Sequence, residues 1–481
     1  MLPTTYVRFH TENEKLQRLY DVAVEKCLGN LNTFAGDQVL VEGGGYEKLW
    51  LETQPMGGEM YAKRNMTAAL NNHLLFMRHQ RADGRLPGSI QGFQAMAGKV
   101  EAQFNKFQGF CFPWSALNMY YWIGEDRQYL DQLADCLEKF DAYLWRVRDS
   151  DGDGILESWC KYDTGEDNAV RYGDAPNYAE AEVPPEGYDV VPMASMDVTS
   201  FSYACRDTLS EIALIRGDMG EAKRWRKAAD EVANVLGQHL WDDRRGALFD
   251  KDRHGRVIDV LCHNTLRCMY WGSVSPYMAE RFVREHLLNP AEFWTPMPLP
   301  SVAANDPAFR NAVENNWSGQ CEGLTYQRAI LALERYGYEK LVPVLGKRLF
   351  QALLEGGLIF VQQFDPFTGA PSIVDPETKE PLPPDTNKAF QDAYGPTLLS
   401  ALEYIAHIWG VTMVRGHIWF SLGSGEKYTY EQGWGEHVYR IESDGVQARA
   451  WADGQEVYNG RCGVRLVTDK RGRLLYQTEL E

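Results

Sequence analysis

A helical repeat of apolar residues runs through most of the chain and restricts the fold more than any other feature. In RQYLDQLADCLEKFDAYLWRVR, residues 127–148, leucine and phenylalanine recur three and four positions apart along one face. Similar stripes begin near residues 198 and 326. Further helices are predicted over 12–29, 59–80, 113–123, 220–240, 275–287, 339–355 and 397–409. The chain is therefore predicted to be all-α as far as residue 409.

Two long irregular segments interrupt this helical pattern, at residues 149–193 and 360–397. The second contains seven prolines, which exclude a continuous helix or a central strand. Long loops inside a compact domain are often functional. Helical pairs joined alternately by short turns and long loops predict a toroid whose long loops gather at one mouth.

The pattern changes after Gly410, where HVYRI, VQARAWA and GVRLVTD alternate like short strands and DKRGR reads as a hairpin turn. We predict two domains: a helical domain over 1–410 and a small β-rich C-terminal subdomain over 411–481 that caps exposed helix ends.

Composition excludes several classes of partner. The net charge of −18 would repel nucleic acid and an anionic membrane surface. No apolar run approaches the roughly 20 residues that a membrane span needs, and the N-terminus does not read as a secretion signal. Nine scattered cysteines without CxxC pairs predict a reduced, cytoplasmic protein. Aromatic residues make up 12% of the chain, as expected for a large core or for a site that stacks on sugar rings; the oligomeric state is not predicted.

The stretch DTGEDNAVRY, residues 163–172, places Asp163, Glu166 and Asp167 within five positions and outside any apolar period. Like charges this close repel and raise one another's pKa. A protein keeps such a cluster either to bind a cation or to perform acid–base chemistry.

The stretch DSDGDG, just before it, follows the opening of a calcium loop with Asp149, Asp151 and Asp153. Position twelve of such a loop would be Cys160 instead of the usual bidentate glutamate. A structural calcium and a tight Asx turn both remain open here. No cofactor is otherwise predicted, and the dispersed histidines form no metal-binding pattern.

Four groups of motifs occur in a fixed order over roughly residues 46 to 410: RDSDGDGILESW with DTGEDNAVRY, PMPLPSVAANDPAF with NNWSGQ, QQFDPFTG, and QDAYGPT. Together they resemble the clan of six-hairpin glycosidases that contains trehalases and family 63 glucosidases, including mannosylglycerate and glucosylglycerate hydrolases. The resemblance implies an (α/α)6 barrel and hydrolysis of glycosides with inversion at the anomeric carbon.

By motif match, Asp167 takes the position of the general acid. Such an acid must hold its proton near neutral pH, and we expect Asp163 and Glu166 to raise its pKa. The family's catalytic base is a glutamate, but this chain has Gln362 there. An amide cannot accept a proton from water.

Three explanations for Gln362 remain open. The chain could be a variant made to trap a complex. The base could have moved to Glu322 or Glu59. The reaction could also need no base, as in an inverting phosphorylase where phosphate attacks. Glu322 is notable because the family has an apolar or aromatic residue at its position.

The resemblance also implies residues that bind substrate. Trp50 is a candidate stacking face, and Glu52 or Glu59 a hydroxyl acceptor. The other candidate sugar contacts are Arg171, Trp317, Asp365, Asp392 and Tyr394. Ser318 replaces the family's arginine, so specificity for trehalose or glucosylglycerate is not implied. We predict an inverting glycosidase for a small α-glycoside or oligosaccharide; the alternatives are an inverting glycoside phosphorylase and a sugar-binding paralogue without hydrolysis.

Overall fold

A computed structural model describes residues 1–92, 99–312, 316–373 and 392–481. The described part of the chain is rich in helix, as predicted, and contains twelve α-helices. They are α1 Glu14–Gly29, α2 Gln54–Tyr61, α3 Met66–Arg78, α4 Phe112–Trp122, α5 Arg127–Val147, α6 Met196–Arg216, α7 Met219–Leu240, α8 Asn264–Trp271, α9 Pro276–Phe282, α10 Gly323–Glu334, α11 Leu341–Glu355 and α12 Gly395–Trp409. None of these helices is long and apolar enough to cross a membrane.

Twenty short strands accompany the helices in the part of the chain that the structure describes. They are β1 Thr5–Thr11, β2 Leu31–Phe34, β3 Asp37–Leu40, β4 Lys48–Trp50, β5 Ser89–Gly92, β6 Val100–Gln103, β7 Glu157–Ser158, β8 Met193–Ala194, β9 Trp241–Asp242, β10 Ala247–Leu248, β11 Cys321–Glu322, β12 Gln363–Phe364, β13 Val411–Val414, β14 His417–Leu422, β15 Lys427–Trp434, β16 His437–Asp444, β17 Gln447–Ala452, β18 Gln455–Arg461, β19 Val464–Thr468 and β20 Leu474–Glu479.

The helices are arranged in two sets that alternate along the chain. Each even-numbered helix from α2 to α10 packs against the next even-numbered one, and α12 packs against α2, so this set closes on itself. Each odd-numbered helix packs against at least one even-numbered helix. Every residue of α12 is buried, whereas α5 buries one stripe and exposes the other face. A helix that is apolar all round belongs inside and an amphipathic one outside.

Local signals explain where the helices begin and end. The side chain of Asp126 accepts a hydrogen bond from the backbone N–H of Tyr129 and caps α5, which buries the predicted stripe through Leu144. The prediction of one helix over 59–80 was wrong, because Asn65 caps a new helix there by accepting from the N–H of Ala68. Helix α8 and the small sheets between helices were not predicted.

The C-terminal strands form two antiparallel sheets, in the orders β1-β15-β16-β17-β18 and β13-β14-β19-β20. The predicted hairpin is confirmed, since the N–H of Asp469 donates to the backbone oxygen of Arg473. Strand β1 was not predicted; it comes from the N-terminus and pairs with β15 from Thr5↔Trp434 to Thr11↔Tyr428. The division at residue 410 stays a prediction, and residues 374–391 of the proline-rich segment lie outside the described residues.

A buried ion-pair network joins the four-stranded sheet to the helices. Arg465 on β19 donates from Nη1 to Glu334 Oε1 on α10 at 2.6 Å, and His407 on α12 contacts the same oxygen through Nδ1 at 2.8 Å. Burial by itself would raise the pKa of Glu334, but Arg465 and His407 lower it to about 2. Glu334 is therefore charged in the folded protein and depends on these partners.

We predict that Arg465→Met lowers the free energy of unfolding by about 3–5 kcal/mol, because it leaves a buried carboxylate without its main partner. Urea unfolding followed by circular dichroism measures the change. The matched control is Arg449→Met, whose ion pair with Glu456 is exposed to solvent and should contribute at most about 1 kcal/mol. Equal losses in the two variants would contradict a structural role for the buried network.

Candidate active site

The loop that carries the three clustered carboxylates is fixed by ion pairs with buried arginines. Asp163 accepts hydrogen bonds from Arg148 Nη1 at 2.6 Å, the N–H of Trp159 at 2.8 Å and the N–H of Phe107 at 3.1 Å. Burial opposes ionisation of Asp163, but Arg148 outweighs it and lowers the pKa below the usual range. Asp163 therefore fixes the shape of the loop and is itself ionised.

Glu166 is also turned inward and compensated. Its carboxylate lies 2.8 Å from Arg267 Nη1, 2.5 Å from Arg171 Nη2 and 2.9 Å from His263 Nε2. Although burial raises the pKa of Glu166, the two arginines bring it well below the usual range. Arg171 also pairs with Asp197 and Asp250. This predicted sugar contact has both terminal nitrogens engaged beneath the loop.

Asp167 differs from its two neighbours because no arginine pairs with it among the described residues. Asp167 is half-buried, and its Oδ1 accepts a hydrogen bond from Gln108 Nε2 at 3.0 Å. Burial raises the pKa of Asp167 to about 7, opposed by the Gln108 hydrogen bond and assisted by the charge of Glu52. The expected direction agrees with this value, and Glu166 raises the pKa of Asp167 as expected. Burial is the largest cause, Glu52 contributes more than Glu166, and Asp163 is paired with Arg148.

Glu52 supports the loop from beneath. Its Oε1 pairs with Arg328 and lies 3.4 Å from Arg267 Nη2. A Cβ atom on Gly165 would lie 2.1 Å from Glu52 Oε2, and one on Gly109 would lie 2.9 Å from the same side chain. Both glycines have positive φ, so this close approach requires glycine at each position. The predicted hydroxyl acceptor Glu52 is thus buried under Asp167.

Facing this loop is a second group of side chains centred on Tyr46. The hydroxyl of Tyr46 donates to Gln362 Oε1 at 3.1 Å, and its ring lies 6.2 Å from that of Tyr394 in an edge-on arrangement. Burial raises the pKa of Tyr46, and the charges of Glu42, Asp167 and Glu322 raise it further. Asp167 and Glu322 therefore act on one hydroxyl, which also touches the side chain of Gln362.

The position of Glu322 follows from a two-residue ladder. Strand β11 pairs with β12 so that Glu322 lies opposite Gln363, and the N–H of Gly323 donates to the backbone oxygen of Gln362 at 2.8 Å. Glu322 is fully buried at the start of α10. The ladder brings Glu322 beside the position where the family resemblance implies a base.

Other predicted site residues lie away from the loop or accept hydrogen bonds from backbone N–H groups. Glu59 lies inside α2 and accepts from Asn118 Nδ2 at 2.6 Å and Trp122 Nε1 at 2.8 Å, so the structure does not bring it to the loop. Asp365 caps a turn by accepting from the N–H groups of residues 367 and 368. Asp392 accepts from the N–H of residue 360 and pairs with Lys26.

Aromatic candidates remain near the loop. The N–H of Trp317 donates to Asn168 Oδ1 at 3.2 Å, next to Asp167. Trp50 is half-buried, and the ammonium groups of Lys48 and Lys106 lie 5.3 and 5.6 Å from its ring centroid. Tyr394 donates its hydroxyl to Glu42 at 3.1 Å.

Sequence reasoning missed Gln108, Lys106, Tyr46 and Glu42. The three glycines directly before Tyr46 were the available signal for a special turn, since all three have positive φ. For Gln108 no periodic or charge signal exists, because its role depends on a contact 59 residues away.

The carboxylates of Asp149, Asp151 and Asp153 offer ligand atoms within 4.8 Å of one another. Asx-type hydrogen bonds also occur here, from the N–H of Gly154 to Asp149 and from the N–H of Asp153 to Asp151. The turn is present, and calcium stays a prediction.

Comparisons with known proteins show the family of this chain and solved structures of similar fold. The model of the "Mannosylglycerate hydrolase MGH1-like glycoside hydrolase domain" family matches residues 61–380. Similar solved structures include the GH63 mannosylglycerate hydrolase from Thermus thermophilus in complex with glucose, with 18% identity, a TM-score of 0.59 and coverage of 80% of this chain and 99% of that chain. Neutral trehalase from Saccharomyces cerevisiae has 12% identity, a TM-score of 0.55 and coverage of 78% of this chain and 74% of that chain. A structure named sialidase has 14% identity, a TM-score of 0.69 and coverage of 96% of this chain and 41% of that chain.

We predict that Gln108→Leu raises the pKa of Asp167 above about 7. The hydrogen bond from Gln108 stabilises the ionised carboxylate, and the variant removes this stabilisation. A hydrogen bond to a charged group contributes about 1.5–3 kcal/mol, or about one to two pKa units. A pH titration of the protein labelled with 13C at aspartate carboxyls measures the shift, with the signal assigned by its loss in Asp167→Asn.

The matched control for this titration is Gln17→Leu, which removes an amide-to-carboxylate hydrogen bond to Asp21 on α1. It should leave the Asp167 signal unchanged. An unchanged or lower pKa in Gln108→Leu would contradict stabilisation of the ionised Asp167 by Gln108.

Proposed function

Because this chain belongs to the mannosylglycerate hydrolase MGH1-like glycoside hydrolase family, we propose that it hydrolyses a small α-glycoside or oligosaccharide with inversion at the anomeric carbon. The observation that carries the proposal is the Tyr46 hydroxyl, which donates to Gln362 Oε1 at 3.1 Å and whose pKa is raised by the charges of both Asp167 and Glu322. The closed set of six inner helices supports an (α/α)6 barrel that holds this site.

Asp167 is the general acid. A group that protonates a leaving glycosidic oxygen must hold its proton near neutral pH and still reach the substrate. The raised pKa of about 7 and the half-buried position of Asp167 meet both requirements. Activity should fall as the pH rises through this value, because the ionised form has no proton to give.

Glu322 is the general base. Inversion requires a second carboxylate about 6.5–9.5 Å from the acid, with room for one water molecule. Gln362 cannot accept a proton, but Glu322 lies opposite the next residue, Gln363, in the β11–β12 ladder. We infer that the base has moved from position 362 to Glu322, with the Gln362 amide and the Tyr46 hydroxyl left to bind water or substrate.

The reaction then proceeds in one displacement. Water attacks the anomeric carbon and gives its proton to Glu322, while the bond to the leaving oxygen breaks and that oxygen takes the proton of Asp167. Exchange with solvent restores both carboxyl groups. Trp50, Trp317, Tyr46 and Tyr394 are the proposed contacts to the carbohydrate.

We predict that Asp167→Asn lowers kcat on an unactivated glycoside by about 10³-fold, since the leaving oxygen loses its proton donor. On the glycosyl fluoride of the same sugar the loss should be at most about tenfold, because fluoride leaves without protonation. Product analysis over a glycoside panel measures both rates, and NMR of the first-formed anomer reports inversion.

Asp151→Asn is the matched control, since it makes the same change at an exposed carboxylate of the preceding turn. It should keep activity. Full activity of Asp167→Asn on an unactivated glycoside would reject Asp167 as the acid.

We predict that Glu322→Gln abolishes hydrolysis of both substrate types, because attack by water needs a base whichever group leaves. Azide, a nucleophile without a proton to lose, should restore turnover of the glycosyl fluoride in this variant. Glu59→Gln, the matched change at a buried carboxyl away from the site, should retain activity.

The variant Gln362→Glu separates the alternatives. A protein that hydrolyses glycosides only after Gln362→Glu is a sugar-binding paralogue in its present form. Turnover that depends on added phosphate and yields a sugar phosphate indicates a phosphorylase. Phosphate-independent turnover that is lost in Glu322→Gln supports the relocated base.

A further inference from the structure

Two lysines beside the acid loop form a cationic cluster that the proposed mechanism does not use. Lys106 is only 3% exposed, and Lys48 on β4 is half-buried. Both ammonium groups donate to one acceptor, Gln103 Oε1, and each lies 3.3 Å from it. The same two groups lie on the ring of Trp50. Two positive charges thus converge on one amide and one indole.

This charge is not balanced by a direct ion pair within the described residues. Lys106 also donates to another amide, Asn105 Oδ1, at 3.4 Å. Glu101 and Glu180 act on Lys48 and Lys106 from exposed positions, where solvent screens them. A nearly buried ammonium without a carboxylate partner is costly. Such a group is typical of a site that receives an anion.

The surroundings of the cluster offer further contacts for a ligand. The buried Nε1 of Trp50 has no hydrogen-bond partner among the described residues. The ring of Tyr178, 43% exposed, lies 5.1 Å from Lys106 Nζ and marks the open side. Burial and Lys48 lower the pKa of Lys106 to about 8, so it still carries its charge at neutral pH. Positive charge and an N–H donor are therefore available together.

The cluster lies on the acid side of the site. Lys106 is two residues before Gln108, whose amide holds Asp167, and the charges of Lys106 and Asp167 attract each other. Asp167 must be protonated when it acts, and it then gives Lys106 no negative charge. In an inverting displacement the general acid lies on the side of the leaving group, and the water attacks from the opposite side. Side chains next to the acid are therefore placed to contact the leaving group.

We propose that Lys48 and Lys106, with the Trp50 indole, bind a phosphate monoester on the leaving group of the substrate. A phosphate monoester carries about −1.5 to −2 charges at pH 7 and matches two ammonium groups, whereas a carboxylate would leave one of them uncompensated. Lysine binds phosphate as a point charge and needs no planar partner. This inference rests on the proposed function, because it takes the side of Asp167 as the leaving-group side.

Calorimetry on the full chain tests the site with three probes: glycerol 3-phosphate, D-glycerate and glycerol. Glycerol 3-phosphate should bind at least about tenfold more tightly than D-glycerate, and its binding should weaken as salt rises. Lys106→Met and Lys48→Met should each weaken it by about tenfold or more. Lys99→Met, which removes an exposed lysine nearby, should change nothing.

Equal binding of the three probes to the unaltered protein overturns the proposal without any variant. Tighter binding of D-glycerate overturns the assignment to phosphate. Unchanged affinity in both Lys48→Met and Lys106→Met overturns the lysine site, and thermal unfolding shows whether each variant is folded. Lys48→Met, at a half-buried position, keeps the test valid if Lys106→Met does not fold.

The Asp167→Asn variant distinguishes failure of this inference from failure of the proposed function. It should bind glycerol 3-phosphate as the parent protein does, because Asp167 is not a ligand of the phosphate. Asp167-dependent hydrolysis without phosphate selectivity overturns only the lysine site. Phosphate binding without Asp167-dependent hydrolysis of any glycoside overturns the general-acid assignment and leaves an anion site of another purpose.

Discussion

The site depends on the ion pairs between the carboxylates of the 163–172 loop and the arginines buried beneath it. Arg148 compensates Asp163, while Arg171 and Arg267 compensate Glu166. Breaking a buried pair of this kind costs about 3–5 kcal/mol, so the two carboxylates stay turned inward. The loop is thereby fixed, and the one carboxyl that remains outside the arginines is Asp167.

This arrangement gives neighbouring carboxyl groups opposite protonation states. Asp163 and Glu166 have pKa values below the usual range, whereas burial holds the pKa of Asp167 near 7. Glu52 adds negative charge from beneath but is held by Arg328. Among these carboxyl groups, Asp163, Glu166 and Glu52 are paired with arginines. Asp167 has no arginine partner among the described residues and keeps its proton near neutral pH.

The other side of the site holds Glu322 close to Gln362, where the family resemblance implies a base. Glu322 lies opposite Gln363 in the short β11–β12 ladder, and Gln362 directly precedes β12 and accepts a hydrogen bond from the N–H of Gly323. Tyr46 contacts Gln362 directly and lies in the field of Glu322. In the proposed mechanism, glutamine at position 362 removes the base that the family resemblance implies, and Glu322 supplies a base in its place.

The sequence by itself determined the helical body and the C-terminal strands and pointed to Asp167 as the candidate acid, because periodicity, capping and motif order are local properties of the chain. It did not determine the N-terminal strand β1, whose partner β15 lies more than 400 residues away. It also could not show that Arg171 and Glu52 are buried supports, or that Gln108 and Lys106 lie beside Asp167. These contacts join charged and polar groups that are far apart in the sequence. Only the tertiary structure brings such segments together and buries them away from water.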